Sequence, residues 1–187
     1  LILFLFQSFG KYMNMVFFYY LALVLEELIS YSKAFSRNIG YTFHSGSIRL
    51  TALTGTAATE IKGDTTAREF RLMTKGNFSP TPEEINSFMD TRMAVIDEIS
   101  FADHDTVLAK LSENSRMFTQ DFSRTYGNLP LVFLGDFCQL ECISKNTIFS
   151  HARSVYWEQA LTAMVELKGT HRYSKCAILS RIMPGLR

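Results

Sequence analysis

The sequence predicts an α/β domain built on a doubly wound, mostly parallel sheet with helices packed on both faces. Three observations carry that expectation. The apolar runs Ala94–Ile96 and Leu131–Leu134 show no polar alternation, as in strands covered on both faces. Both runs end abruptly in acids, Asp97-Glu98 in one case and Gly135-Asp136 in the other, and ligands of such sheets bind beyond the carboxyl ends of the strands. Strand-like and helix-like segments alternate along the whole chain, and no repeat in the range of roughly 20–50 residues suggests an array.

Taken in order, Leu1–Phe6 is a solid apolar run that reads as a first strand, and Gln7-Ser8-Phe9-Gly10 breaks it before Lys11. Tyr12–Phe35 then reads as a helix. Strand, glycine-lysine, helix is the order of a phosphate-binding loop. Such a loop, however, uses several glycines whose amides curl around phosphate, and a Ser or Thr after the lysine; here there is one glycine, and Tyr12 follows Lys11. Ser47–Leu53 reads as a second strand running into Thr54-Gly55-Thr56, where small residues expose amides to an anion or simply cap a helix. A short helix is expected around Thr66–Met73. Thr81-Pro82-Glu83-Glu84 has the chemistry of a capping box with proline at the first helical position, so a helix should run to about Asp90. Beyond the acidic strand, Asp103–Ser115 reads as a helix with Val107, Leu108 and Leu111 inward. A loop through Tyr126-Gly127-Asn128 leads to the Leu131 strand. A helix near Ala152–Ala160 and a fifth strand at Met164–Leu167 complete the order.

Composition narrows the class. A chain of 187 residues with 47% hydrophobic and 20% charged residues is one domain with a real core, neither disordered nor a coiled coil. A formal charge of +1 neither requires nor excludes nucleic acid, which needs only a local basic patch. Cys138, Cys142 and Cys176 are an odd count without CxxC spacing, and the four histidines are scattered, so no disulfide framework or zinc site is indicated and a reducing compartment fits. The apolar stretch Tyr12–Leu25 falls short of the roughly 20 residues that span a bilayer, and no stable membrane association is expected. The leucine start and the end at Pro184-Gly185-Leu186-Arg187 read as a fragment.

The acids suggest nucleotide chemistry. Asp97 at a strand end is placed to hold Mg²⁺, and Glu98 to orient or deprotonate an attacking water. The same pair also fits an ordinary helix start, an N-cap followed by a first-turn acid.

The series Thr51-Ala-Leu-Thr-Gly55-Thr-Ala-Ala58, Ile61-Lys-Gly63-Asp-Thr65-Thr66, Ile96-Asp97-Glu98-Ile-Ser100, Phe133-Leu-Gly135-Asp136-Phe-Cys-Gln139-Leu140 and Leu167…His171-Arg172 resembles the Pif family of superfamily 1 DNA helicases. It looks most like the Pif-like helicases of Helitron-type transposons. The resemblance covers about residues 45–187 and implies the first RecA-like P-loop NTPase domain of a monomeric 5′→3′ helicase that uses ATP and Mg²⁺ on single-stranded and duplex DNA. It further implies a nuclear setting and roles in DNA repair, recombination, or telomere or transposon maintenance. Residues 1–44 would form an apolar strand and helix with a degenerate or missing phosphate loop, and a second RecA-like domain would be absent.

Residue by residue, the resemblance implies that Asp97 binds the metal, Glu98 activates water, Gln139 senses the γ-phosphate, and Arg172 stabilises charge on the transferring phosphoryl group. Gly10, Lys11 and Asp136 would line the nucleotide. Thr51, Thr54, Gly55 and Thr65 would touch DNA, with Arg49 and Lys62 adding charge nearby. The chain departs from the family pattern in three places: the glycine-rich loop is reduced to Gly10-Lys11, Ala67 replaces the histidine after the threonine pair, and Glu141-Cys142 replaces a proline pair, as in the transposon group. The alternative is a decayed, catalytically inactive remnant acting at most as a weak nucleic-acid-binding module. A membrane-anchored protein is a third reading, resting on residues 1–25 alone.

Overall fold

The computed structural model describes residues 2–7, 30, 34, 44, 46–76, 78–135, 144–148, 150, 154–158 and 160–167. Its centre is a sheet of six parallel strands: β1 (Ile2–Gln7), β2 (Ile48–Ala52), β3 (Asp64–Thr65), β4 (Met93–Asp97), β5 (Leu131–Gly135) and β6 (Ala163–Leu167), in the order β3-β2-β4-β5-β1-β6. Among the described residues the numbered helices are α1 (Gly55–Glu60), α2 (Thr66–Glu69), α3 (Pro82–Met89) and α4 (Lys110–Thr119), the last preceded by a π-helical stretch over His104–Ala109.

The uninterrupted apolar runs are explained by burial on both faces. Along β4 and β5, Ala94, Ile96, Leu131 and Phe133 enter one core with Phe70, Phe88, Leu108, Leu111 and Phe118. Val95, Val132 and Leu134 point the other way, onto Ala57, Ala58 and Ile61 of α1 and its end. Along the runs Ala94–Ile96 and Leu131–Leu134 every side chain enters a core, which leaves no position for polar alternation. The resulting α/β architecture, with parallel strands and helices on both faces, is that of a RecA-like domain.

Local chemistry sets the element ends. The Thr81 hydroxyl accepts the Glu84 amide at 3.3 Å, Glu84 Oε2 accepts the Thr81 amide at 2.9 Å, and Pro82 opens α3, so the expected capping box is present. Thr54 and Thr65 cap α1 and α2 by accepting the Ala57 and Arg68 amides.

Four details differ from the sequence expectation. The two-residue β3 is an additional strand, short enough to escape a pattern reading, and pairs Thr51 with Asp64 and Ala52 with Thr65. The helix expected from Asp103 opens as a π-helix and runs on to Thr119. The short helix at Thr66 stops at Glu69. Near 152–160 the described residues form turns. Ser30 and Ala34, inside the helix expected at Tyr12–Phe35, are helical. No helix among the described residues is long and apolar enough to cross a membrane.

Candidate nucleotide site at the strand ends

Register brings the strand ends into line. Ala52 pairs with Asp97, Ile96 with Phe133, Phe6 with Gly135 and Gln7 with Leu167. The chain therefore leaves β2, β4, β5, β1 and β6 from one edge of the sheet, the edge where α/β sheets bind ligands. Asp97 ends the third strand in the order, beside β5.

Asp97 is completely buried. Its Oδ1 accepts the Glu98 amide at 2.8 Å, its carbonyl accepts the Leu53 amide at 3.1 Å, and its Oδ2 has no hydrogen-bond partner among the described residues. Burial pushes this carboxyl up to about 8, the negative charges of Glu98 and Glu60 push the same way, and the Glu98 amide pulls against them. Glu98 is itself buried and takes a left-handed backbone, φ 59° and ψ 35°. That conformation costs a non-glycine residue about 1–2 kcal/mol and turns the chain sharply out of β4 into the 3₁₀ turn Ile99–Phe101. The Phe101 amide closes the turn on the Glu98 carbonyl at 3.0 Å.

Gly135 makes room for this turn. A Cβ there would lie 3.0 Å from Ile99 Cγ2 and 3.2 Å from the Ile99 and Ser100 amide nitrogens, so the end of β5 abuts the backbone just past Glu98. Ser100 is also buried, and its Oγ has no hydrogen-bond partner among the described residues.

The oxygens gathered here suit a hard divalent cation. Mg²⁺ prefers oxygen ligands and is held by one or two carboxylates, with water and phosphate completing its shell. Asp97 offers a carboxylate oxygen without a partner among the described residues, and those residues hold no cluster of three or more His, Cys, Asp or Glu that would form an all-protein cage. The residues present fit Mg²⁺ bound together with phosphate.

The residues expected to touch DNA divide. Gly55 and Lys62 are exposed, and Thr54 and Thr65 are half-buried at their caps. Thr51 is fully buried; its hydroxyl donates to the Val95 carbonyl at 2.8 Å and accepts from Thr66 Oγ1 at 3.1 Å. Its side chain ties β2 to β4 and lies inside the fold rather than on a binding surface. Arg49 is likewise committed within the fold. It pairs with Glu69, donates to Thr91 Oγ1 at 2.7 Å and to Ser87 at 2.7 and 2.8 Å, and stacks 3.8 Å above the Phe88 ring.

Gly10, Lys11, Asp136, Gln139 and Arg172 lie outside the described residues, as do Glu141 and the cysteines Cys138, Cys142 and Cys176. Ala67 is partly buried against the core that contains Phe70. Sequence reasoning missed Glu60 as a contributor to the field at Asp97, and it missed Asp103. An Asp three residues before Thr106 is an N-cap signal that sequence shows, but its long-range partner is visible only in the fold.

The parallel α/β sheet, with a buried acid at the end of a central strand, has the arrangement of a RecA-like fold. Within that class, comparison with known proteins is specific. Over 103 residues the chain is 36% identical to the ATP-dependent DNA helicase PIF1 of Emericella nidulans, a match covering 50% of the chain and 13% of that relative. The crystal structure of Pif1 helicase from Candida albicans superposes with a TM-score of 0.68 at 24% identity, over 96% of the chain and 38% of that structure. Bacteroides sp Pif1 in complex with ADP-AlF4 gives 0.63 at 19% identity, over 91% and 38%. Bacteroides Pif1 bound to ssDNA gives 0.55 at 19% identity, over 89% and 38%. No protein-family model matches the chain. Over the matched stretch the chain is similar in sequence to the fungal PIF1 helicase, and it spans only a small part of that relative's length and well under half of the solved ones.

Proposed function

We propose that this chain is the first motor domain of an ATP-dependent DNA helicase that moves 5′→3′ on single-stranded DNA. One observation carries the reading: the strands that lead into Gly10-Lys11, Asp97-Glu98, Asp136…Gln139 and Arg172 all end at one sheet edge, around a buried carboxylate with an oxygen unclaimed by the described residues. Asp97 would hold Mg²⁺, and the metal would supply neutralisation of phosphate charge. Glu98, turned out of the strand by its left-handed backbone, orients or deprotonates water. Gln139 reads the γ-phosphate, Arg172 stabilises charge on it, and Gly10, Lys11 and Asp136 line the nucleotide. Thr54, Gly55 and Thr65, at the heads of α1 and α2, meet DNA through backbone amides, so contact is independent of base sequence. Duplex unwinding, a monomeric state, a nuclear location, and work in repair, recombination, or telomere or transposon maintenance belong to the same reading.

A second reading has its own support. Phosphate loops offset the charge of a triphosphate with several amides, a lysine and a metal, and Gly10-Lys11 retains little of that set. On this reading the chain folds as a motor domain and turns nucleotide over negligibly, a remnant with weak nucleic-acid affinity.

Equilibrium binding of fluorescent ADP with and without Mg²⁺ tests the site. Weak, Mg²⁺-dependent binding that is lost in Asp97→Ala supports it, and binding indifferent to both overturns it. DNA-stimulated phosphate release that vanishes in Glu98→Gln would discard the remnant reading.

A further inference from the structure

Between Asp97 and α4 the chain makes a helical turn of an uncommon kind. The Asp103 carbonyl accepts two amides, Val107 at 3.1 Å and Leu108 at 3.2 Å, and the second bond spans five residues, the π-helical spacing. A π turn holds one residue more than the α turn it replaces, and such turns are rare and collect at functional sites. Asp103 also caps it. Its Oδ1 accepts the Asp105 amide at 3.0 Å, the Thr106 amide at 2.8 Å and Thr106 Oγ1 at 2.9 Å, while its Oδ2 accepts from Ser144 Oγ.

The chain is held on both sides of this turn. Upstream, β4 is fixed as far as Asp97 by its register with β2 and by the Leu53 amide on the Asp97 carbonyl, and Ile99 is fully buried. Downstream, Leu108, Leu111 and Phe118 sit in the main core. Asn114 Nδ2 donates to the Phe70 and Arg71 carbonyls at 2.7 and 3.2 Å, and Ser112 Oγ accepts the Tyr126 amide at 3.1 Å. With β4 and α4 both fixed, the length of chain between them decides how the left-handed Glu98 and the turn Ile99–Phe101 are set. One residue of chain spans up to about 3.3–3.6 Å. A catalytic group must be held to within about 0.5 Å, so one residue more or fewer is a large error.

We infer that the π turn His104–Ala109 is a positioning element for Glu98, its additional residue supplying the length that lets Glu98 turn out of β4 while α4 stays seated in the core. The inference rests on the motor reading for the role of Glu98, while the spacing itself rests on geometry alone. Thr106 is exposed, so deleting it shortens the turn without opening the core. Asp103 can still cap the shortened turn, with the Val107 amide in the place of the Thr106 amide. The turn then becomes α-helical, and the missing length is drawn from Glu98–Ala102.

Three variants of the full chain decide the matter: deletion of Thr106, the same deletion with a glycine inserted between Ala102 and Asp103, and Thr106→Ala. The Phe101 and Ala102 amides close on the Glu98 and Ile99 carbonyls at 3.0 and 2.9 Å. Their hydrogen exchange should quicken about tenfold or more in the deletion, recover with the inserted glycine, and stay near wild type in Thr106→Ala. Wild-type exchange at both amides in the deletion overturns the spacing. So does equal quickening in Thr106→Ala, which traces the effect to the lost hydroxyl. If the deletion fails to fold, recovery of the fold with the inserted glycine supports the spacing, and failure of both overturns it.

The second measurement is the ratio of affinities for Mg-ADP-aluminium fluoride, a mimic of the transferring phosphoryl group, and Mg-ADP, which a merely structural turn would leave alone. Deletion of Thr106 should lower that preference about tenfold, as far as Glu98→Gln does, with Mg-ADP affinity unchanged and with recovery on glycine insertion. An unaltered ratio despite faster exchange overturns the positioning role. Wild-type protein that binds neither nucleotide, or shows no preference between them, overturns the motor reading instead, and the exchange comparison then still decides whether the π turn sets the turn at Glu98.

Discussion

Thr51 and Thr66, fifteen residues apart, meet through their hydroxyls at 3.1 Å inside the fold, and Thr51 passes the chain of hydrogen bonds on to the Val95 carbonyl at 2.8 Å. Thr51, which the resemblance implies would touch DNA, here joins Thr66 in a clamp between β2, β4 and α2. Thr51→Val keeps the shape and removes the hydroxyl. It should cost about 1–3 kcal/mol in urea unfolding while leaving DNA affinity per folded molecule unchanged. A DNA-binding loss with unaltered stability would return Thr51 to the surface.

Arg49 should behave as an internal brace. Arg49→Ala abandons Glu69, two hydrogen bonds to Ser87, one to Thr91 and the face of Phe88, and should cost about 2–4 kcal/mol. Lysine lacks the fork that serves these partners together, so Arg49→Lys should recover less than half of the loss. Chemical denaturation of the two variants checks both statements.

Gly135→Ala should destabilise the chain by about 1–3 kcal/mol, because the new methyl group meets backbone nitrogens as well as Ile99 Cγ2. The same change displaces the turn after Glu98, so Mg²⁺-dependent nucleotide binding should weaken beyond what the lost stability explains. Binding measured well below the unfolding transition separates the two effects.

Asp97 makes a prediction about pH. Its carboxyl is raised from 3.8 to about 8 in the folded chain, so between those values the folded state holds a proton that the unfolded state has released. Stability from this group should therefore decline as pH rises from about 4 to about 8 and level off above. Asp97→Asn should flatten the pH 5–8 portion of the melting curve, and Mg²⁺ should lessen the decline in the wild type by favouring the ionised acid. A melting temperature that climbs steadily over that range because of Asp97 would contradict its burial.

DNA binding by the chain should be weak, indifferent to base sequence and steeply salt-dependent. Exposed Lys62, just past the end of α1, is one source of charge, so Lys62→Ala should reduce the log–log salt slope by about 0.7, the share of one single-strand phosphate. Fluorescence anisotropy on an unstructured oligonucleotide measures it, and a flat dependence on salt would remove phosphate contact from the account.

The features legible in the sequence are those whose physics is local. The unbroken runs in β4 and β5 declared burial on both faces, and Thr81, Pro82 and Glu84 declared a helix start, since all the atoms involved lie within a few residues. The acid pair at Asp97-Glu98 was legible as the end of a central strand for the same reason. What escaped depends on partners distant in sequence. Arg49 looks like a surface cation until Glu69 and Phe88 come round it, Thr51 looks available until Val95 lies beside it, and Asp103 looks like an ordinary cap until Ser144 arrives. The left-handed turn at Glu98 is imposed by packing and has no glycine to announce it.

The place of β1 between β5 and β6 governs how the chain is made. Ile2 pairs with Leu131 and Leu3 with Ala163, so β1 waits during synthesis for partners that emerge about 130 and 160 residues later. At ribosomal rates of about 5–20 residues per second, that is a delay of roughly six to thirty seconds. Throughout it the segment Ile2-Leu-Phe-Leu-Phe6 is an uncharged apolar strand with no sheet to join. The nascent chain thus carries a self-association hazard in β1, and a holdase that shields this segment until β5 and β6 have left the ribosome should raise soluble yield more than one acting after release.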